Sequence, residues 1–208
     1  TTRANADTAN ATQISTLQAT VNTLNSYRVD AKGLSCTNAN SVQGIRDPAS
    51  GAVLYGPGRS WNVLVLNRGT GAVVSHTTYD VCADIDQATA LSSALNALSD
   101  SSVVVVYTYD EPKTNAYNNT ALKTAIKRCG GTEQGLSNLL YRGAYLLVGI
   151  PGCGEGQGVE KYAGSVDSDT NAWVTYTLQL RGGEPVSLGS TGTVALQQQA
   201  VVTADKLT

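Results

Sequence analysis

The 208-residue chain has no methionine, no phenylalanine and a single histidine. Without Phe, a core has to be assembled from Val, Leu, Ala, Ile and Tyr. One His and four cysteines, at positions 36, 82, 129 and 153 with no C-x-x-C spacing, exclude a Cys/His zinc module. Charge is also scarce. Lys plus Arg is 14 against 16 Asp plus Glu, a net charge of −2, and only 14% of residues are charged, where an ordinary soluble domain has roughly 25%. No basic cluster is present to meet a phosphate backbone, so no nucleic-acid partner is expected. No stretch nears the ~20 apolar residues of a bilayer span, and Thr1 to Asn10 is too polar for a signal peptide. Thr, Ser, Asn, Gln and Gly take the place of charge, a surface chemistry seen in many extracellular and virion proteins. The cysteines admit three disulfide pairings or free thiols, and their spacing does not choose.

Residues 1–26 contain no Gly or Pro, and Ile14, Leu17, Val21 and Leu24 follow one another at spacings of 3, 4 and 3. That is the a/d seam of a coiled coil, so 1–26 reads as a stalk helix that self-associates. Both ends of the chain read as helical, as in a segment of a longer protein. The next block, to about residue 58, is punctuated by glycines and reads as loops and short strands.

Trp61–Asn67 is an apolar run that predicts a buried strand, and Arg68-Gly69-Thr70-Gly71 a hairpin turn into a partner strand ending at Tyr79. Ile85, Ala88, Leu91, Leu95 and Leu98 predict a helix, with Asp84 as its cap. Val103–Tyr107 is β-branched and apolar almost throughout, which predicts a second buried strand. A further helix is expected over about 118–129, a third strand over 144–150, and a half-buried strand over 173–181. Residues 151–172 read as a Gly- and Asp-rich loop. The period switches place an α/β globule at 27–188, then a linker and C-terminal helix at 189–208.

Chemical motifs are few. His76 lies mid-strand with no nucleophile elbow to serve, and reads as structural. Gly152 to Gly158 is glycine-rich but lacks the Gly-Lys-Ser/Thr of a P-loop, and reads as a mobile loop. Asp110-Glu111 follows a buried strand, and strand ends are where sites collect in α/β sheets. A glycosidase would need two carboxylates about 5–10 Å apart, for which Asp80, Asp84, Asp110 and Glu111 are the candidates.

Gly58-Arg59-Ser60-Trp61-Asn62-Val63, then Thr70-Gly71-Ala72-Val73-Val74, Thr78-Tyr79-Asp80, Tyr109-Asp110-Glu111-Pro112 and Leu140-Tyr141-Arg142-Gly143-Ala144 occur in one order. The series resembles the interleukin-like EMT inducer (ILEI) domain across roughly residues 42–163. Ser60 stands where that family has a second Gly, and Gly143-Ala144 where it has Asp-Ser. The resemblance implies an α/β sandwich of a mixed β-sheet with covering helices, flanked here by the N-terminal coiled-coil helix and the C-terminal helix. It implies binding without catalysis; no cofactor or metal is expected, the single His and the cysteine spacing offering no Cys/His cluster. It further implies that Arg59, Asp110 and Arg142, with Glu111 beside them, form the ligand-binding site, because a protein-O-mannose glycosyltransferase stem domain of this family holds a sugar with the matching positions. Trp61 and Tyr141 adjoin these positions, and strand alternation points both into the core.

Thr2 to Val21 resembles the helical repeats of tail-tip host-specificity proteins, of the J type, in long-tailed bacteriophages, and Ala195 to Leu207 is similar to the stretch where helix resumes in them. That resemblance implies a homotrimeric central tail fibre located at the virion tail tip and assembled in the host cytoplasm. Its partners would be other tail-tip proteins and a host cell-surface glycan or outer-membrane protein. The competing expectations are a secreted cytokine-like signalling domain, as in animal members of the ILEI family, and a glycan-cleaving enzyme.

Overall fold

The computed structural model describes residues 2–22, 24–34, 36–164 and 171–186, and side chains there except at 2, 4 and 16–24. The elements in chain order are α1 (Thr2–Asn22), β1 (Leu24–Gly33), β2 (Gly44–Arg46), β3 (Val53–Tyr55), β4 (Ser60–Asn67), β5 (Val73–Tyr79) and α2 (Ile85–Ala97). They continue with β6 (Ser102–Asp110), α3 (Thr120–Arg128), α4 (Glu133–Ser137), β7 (Ala144–Gly149), β8 (Val159–Ala163), β9 (Trp173–Arg181) and β10 (Glu184–Pro185). The expected α/β class is what forms: a mixed, unclosed sheet with a few covering helices.

β6 organises the sheet. Its one side pairs antiparallel with β4 over Ser60–Asn67, and β5 completes that hairpin. Its other side is shared: β7 pairs along Val104–Tyr107, and β1 pairs in parallel at Tyr109 and Asp110. β8 extends β7, while β9, β10, β2 and β3 extend β1. β1 and β9 therefore lead away from the β6 ladder and fold across its face.

Side-chain alternation then builds two cores. Trp61, Val63, Val65, Val104, Val106, Tyr145 and Leu147 face α2 and α3, meeting Leu91, Leu95, Leu122 and Ile126. Leu64, Leu66, Val103, Val105, Tyr107, Leu146 and Val148 face the other way, onto Val29, Ala31, Ile45, Leu178 and Leu180. A strand covered on both faces is apolar at every position rather than every second one, which is why β6 reads Val-Val-Val-Val. α2 is capped by Asp84, whose carboxylate accepts from the Asp86 amide at 2.9 Å, and the Arg128 guanidinium from α3 donates to Leu95 and Leu98 carbonyls at its far end. α3 starts under the side chain of Asn119 and stops at Cys129, with Gly130 at a φ of +101°. His76 is half-buried with its Nε2 2.8 Å from the Tyr107 hydroxyl, and burial holds its pKa below the usual value.

Four expectations need correction. The stalk helix ends at Asn22 rather than 26: Leu24 opens β1, opposite Arg181 in an antiparallel ladder that runs to Lys32. The spacing of 3 from Val21 to Leu24 fits a heptad, but nine consecutive strand pairs outweigh it. Residues 27–58 are not only loops and short strands, since β1 is a ten-residue strand inside the sheet. Residues 151–172 contain β8, held to the body where Glu160 accepts from the Thr132 amide and the Tyr145 hydroxyl. The Gly152–Gly158 loop is tied down, with the Gly156 and Gly158 amides donating to the carbonyls of Gly131 and Gly130. The expected helix at 189–208 lies outside the described residues. Cys82, Cys129 and Cys153 are in no disulfide; Cys36 and Cys129 are buried and Cys153 is exposed. Among the described residues, no helix is long and apolar enough to cross a membrane.

The two-core arrangement predicts opposite fates for two valines. Val104→Asp buries a carboxylate with no partner and should cost more than about 4 kcal/mol, enough to leave the chain unfolded in water. Val74→Asp, on the exposed edge strand β5 where Val74 is 64% accessible, should shift stability by no more than ~0.5 kcal/mol. Urea unfolding followed by circular dichroism reads both.

Candidate functional site

Strand order delivers five chain segments to one end of the sheet. β4 begins and β5 ends there, because they are antiparallel with Trp61 opposite Tyr79. β6 and β1 both end there, being parallel, and β7 begins there. Arg59, Asp80, Asp110 and Arg142 flank those strand ends, so the three positions carried over from the family resemblance share one rim.

Each segment is fixed by a close contact. The buried Asn62 accepts from the Gly58 amide at 2.9 Å and returns a hydrogen bond to the Gly58 carbonyl at 2.8 Å. Gly58 itself admits no side chain, since a Cβ there would stand 2.6 Å from a Thr78 methyl. Arg59 follows, joined to Ser60 by a cis peptide bond. Its guanidinium grips Asp80 in a fork, Nε to Oδ1 at 3.0 Å and Nη2 to Oδ2 at 2.9 Å. Both side chains remain well exposed. That carboxylate is the principal cause of the raised Arg59 pKa. Asp80 also accepts from the Ala83 amide, which anchors the fork to the turn before α2.

Asp110 and Arg142 share a backbone feature. Only three non-glycine residues among those described have positive φ, and these are two of them, at +70° and +56°. Side chains rarely adopt this region, and where they do the surroundings must enforce it. For Asp110, its carbonyl accepts from the Leu34 amide at 3.0 Å just past the end of β1. For Arg142, its carbonyl packs on Gly33 so tightly that a Cβ at position 33 would collide with it. Its guanidinium lies 5.0 Å from the Tyr141 ring centroid.

The electrostatics of Asp110 are mixed. Partial burial raises its pKa, both arginines pull it down, and Glu111 and Asp80 push it up again. Asp110 enters no ion pair within 4 Å among the described residues. Asp80, not Asp110, is the carboxylate that holds Arg59.

Glu111 has a different role from the one expected. It is only 3% exposed, and its carboxylate accepts from the amides of Lys113 at 2.8 Å and Thr114 at 3.0 Å. The Trp61 indole donates to the Pro112 carbonyl at 2.8 Å, closing the same turn. Glu111 thus shapes the rim from beneath. The Cys82 thiol lies against it, and burial, with the negative charge of Glu111, raises the thiol pKa. Trp61 is buried as expected. Tyr141 is not in the core but 44% exposed, because it sits in the turn before β7 where strand alternation does not reach. Among the described residues, no three His, Cys, Asp or Glu side chains gather as metal ligands would.

Residues 59–153 match the family described as interleukin-like EMT inducer, and the chain therefore carries an ILEI domain there. The matched span starts at Arg59 and takes in Asp80, Asp110 and Arg142. No curated protein matches the chain.

The two acidic residues beside Asp110 should respond differently to mutation. Glu111→Ala leaves two turn amides without an acceptor and should destabilise the fold by about 1–3 kcal/mol. Asp80→Asn loosens a fork between two exposed side chains, which water and salt already screen, and should leave the unfolding midpoint nearly unchanged. Thermal and urea melts of the two variants decide this.

Proposed function

We propose that this chain is a receptor-binding part of a phage central tail fibre, in which the ILEI domain holds a host-surface sugar between Arg59, Asp110 and Arg142. The observation that carries the reading is the gathering of the Arg59 and Arg142 guanidinium groups around Asp110, a carboxylate in no ion pair within 4 Å among the described residues, on a single rim. Guanidinium N–H donors, of which Arg59 keeps its Nη1 pair beside the Asp80 fork, and a two-oxygen acceptor match the alternating donor and acceptor pattern of adjacent sugar hydroxyls. Asp80 supports it by orienting Arg59 without occupying Asp110. The left-handed backbones of Asp110 and Arg142 support it too, because strain of this kind is commonly retained where a site requires it.

Binding rather than hydrolysis is favoured by the state of the carboxylates. A glycosidase uses two that are both available to the sugar. Asp80 is gripped by Arg59, Glu111 by two backbone amides, and Asp84 caps α2 by accepting from the Asp86 amide, which leaves Asp110 alone of the four candidates.

The stalk part of the proposal rests on α1. The side chains of Arg3 and of Asn5 to Ser15 are exposed, Ile14 among them at 55%. A single polar helix is marginal in water unless it packs on something. Association of three copies along the Ile14, Leu17, Val21 stripe supplies that packing, and the likeness to tail-tip proteins supplies the phage setting.

Three outcomes are expected. Asp110→Asn preserves shape and removes charge, so binding on a glycan array should fall at least tenfold while the melting temperature stays within a few degrees. Normal binding by the folded variant would refute the site. Binding should also weaken on acidification, beginning above the ordinary Asp value of about 3.9, because burial raises the Asp110 pKa and only the ionised form accepts two hydroxyls. Folding carries the opposite sign at this residue: a raised pKa favours the folded state at low pH, and that contribution is lost as pH rises through it. Finally, light scattering should report a trimer for the unmodified chain and a monomer for Leu17→Asp; a monomeric unmodified chain contradicts the stalk.

A further inference from the structure

Next to the rim lies an open cleft of about 580 Å³, lined by Ile85, Lys113, Asn115, Tyr117 and Tyr141 among others. That volume falls within the range of small-ligand sites. We propose that this cleft receives a second, anionic sugar unit of the glycan whose first unit sits at Arg59, Asp110 and Arg142; the inference rests on that reading.

The cleft is continuous with the rim through the chain itself. Tyr141 precedes Arg142, and Lys113 follows the Asp110-Glu111 turn. Glu111 fixes the Lys113 and Thr114 amides from below. Asn115, the third non-glycine residue with positive φ at +64°, donates its side-chain amide to the Val81 carbonyl at 2.9 Å. This ties the cleft wall to the turn that carries Asp80. All three left-handed side-chain residues among those described thus belong to the rim or to this wall.

The chemistry of the lining selects the ligand. Tyr141, Tyr117 and Ile85 are 44%, 39% and 60% exposed, an amphipathic apolar surface suited to the C–H face of a pyranose ring. Lys113 carries the lining's charge. Its Nζ stands 4.5 Å from the Tyr117 ring centroid, which restrains the side chain, and it is in no ion pair within 4 Å among the described residues. Lys123 reaches the same ring at 5.1 Å but is already bound to Glu133 at 3.3 Å. The carboxylate nearest in sequence, Glu111, is buried and hydrogen-bonded to backbone. An ammonium of this kind beside two tyrosines calls for a carboxylate on the sugar, as in a hexuronate.

The test titrates the whole chain with tetrasaccharides of hyaluronan, alginate and polygalacturonate, each bearing uronates, and with neutral chitotetraose, read by calorimetry. At least one uronate probe should bind five-fold or more tighter than chitotetraose. Lys113→Gln should erase that preference, and Tyr141→Ala should weaken the preferred probe about tenfold, with circular dichroism confirming that both variants fold. Absence of binding by every uronate probe, or a preference that survives Lys113→Gln, overturns the proposal. Asp110→Asn separates the two sites: if the uronate preference and its dependence on Lys113 persist at undiminished affinity in that variant, the rim reading fails and the link between the cleft and the rim fails with it. If Asp110→Asn abolishes binding but Lys113→Gln changes nothing, the rim reading stands and the anionic cleft is refuted.

Discussion

β6 is buried on both faces, so each of its valines has to be matched by side chains from two layers. The helices supply one layer and the β1–β9 ladder the other. At about 1.5–3 kcal/mol for each fully buried aliphatic side chain, this double burial makes β6 the strand that neither layer can move without exposing the other. Its length and direction then determine where its neighbours start and stop. β4 and β7 run against it and begin at the end where it finishes, and β1 finishes beside it. The rim that carries the arginines and Asp110 is a consequence of packing a strand from both sides.

Close backbone approach completes the rim. Gly58 and Gly33 are small because Thr78 and the Arg142 carbonyl occupy the space where their side chains would stand. These contacts force Arg59 and Arg142 to leave the sheet in defined directions. A ligand that uses them meets groups already oriented, and does not have to order long side chains on binding. Asp80 strengthens the same effect by holding the Arg59 guanidinium through two hydrogen bonds. The glycan reading therefore depends on preorganisation at a strand-end rim as much as on residue identity.

The parts of this arrangement with a strong period were legible in the sequence. β4, β6, β7, α2 and α3 are each long enough, or uniform enough, to declare their class, and Asp84 announced a cap that forms. β1 was obscured by its composition: Leu24, Tyr27 and Val29 are interrupted by Asn, Ser, Arg and Asp, and its partner β9 lies more than a hundred residues away. β8 was hidden for a similar reason, since Val159-Glu160-Lys161-Tyr162-Ala163 offers only Val159 and Ala163 to the core and is otherwise held by the edge of β7 and by Glu160 contacts. At the site, motif likeness located Arg59, Asp110 and Arg142, but could not assign partners. Asp80 was visible as a candidate carboxylate and as the end of a family motif, but not as the partner of Arg59, and the hairpin register that brings it to Arg59 is the signal that finds it. Glu111 and Tyr141 exchanged their expected places, one turning inward to bind amides and the other outward, because both lie in turns where alternation has no meaning.

Sugar binding at the rim is read by titrating the isotopically labelled chain with the glycan that binds it best on an array, followed by NMR of the arginine Nε–H groups and the backbone amides. If the rim holds the sugar, the Arg59 and Arg142 Nε–H signals and the Glu111 amide move together, saturating at one affinity, while signals from β10 and the β2–β3 hairpin stay still. Saturable shifts confined to another surface, with the two arginine signals unmoved, would contradict it.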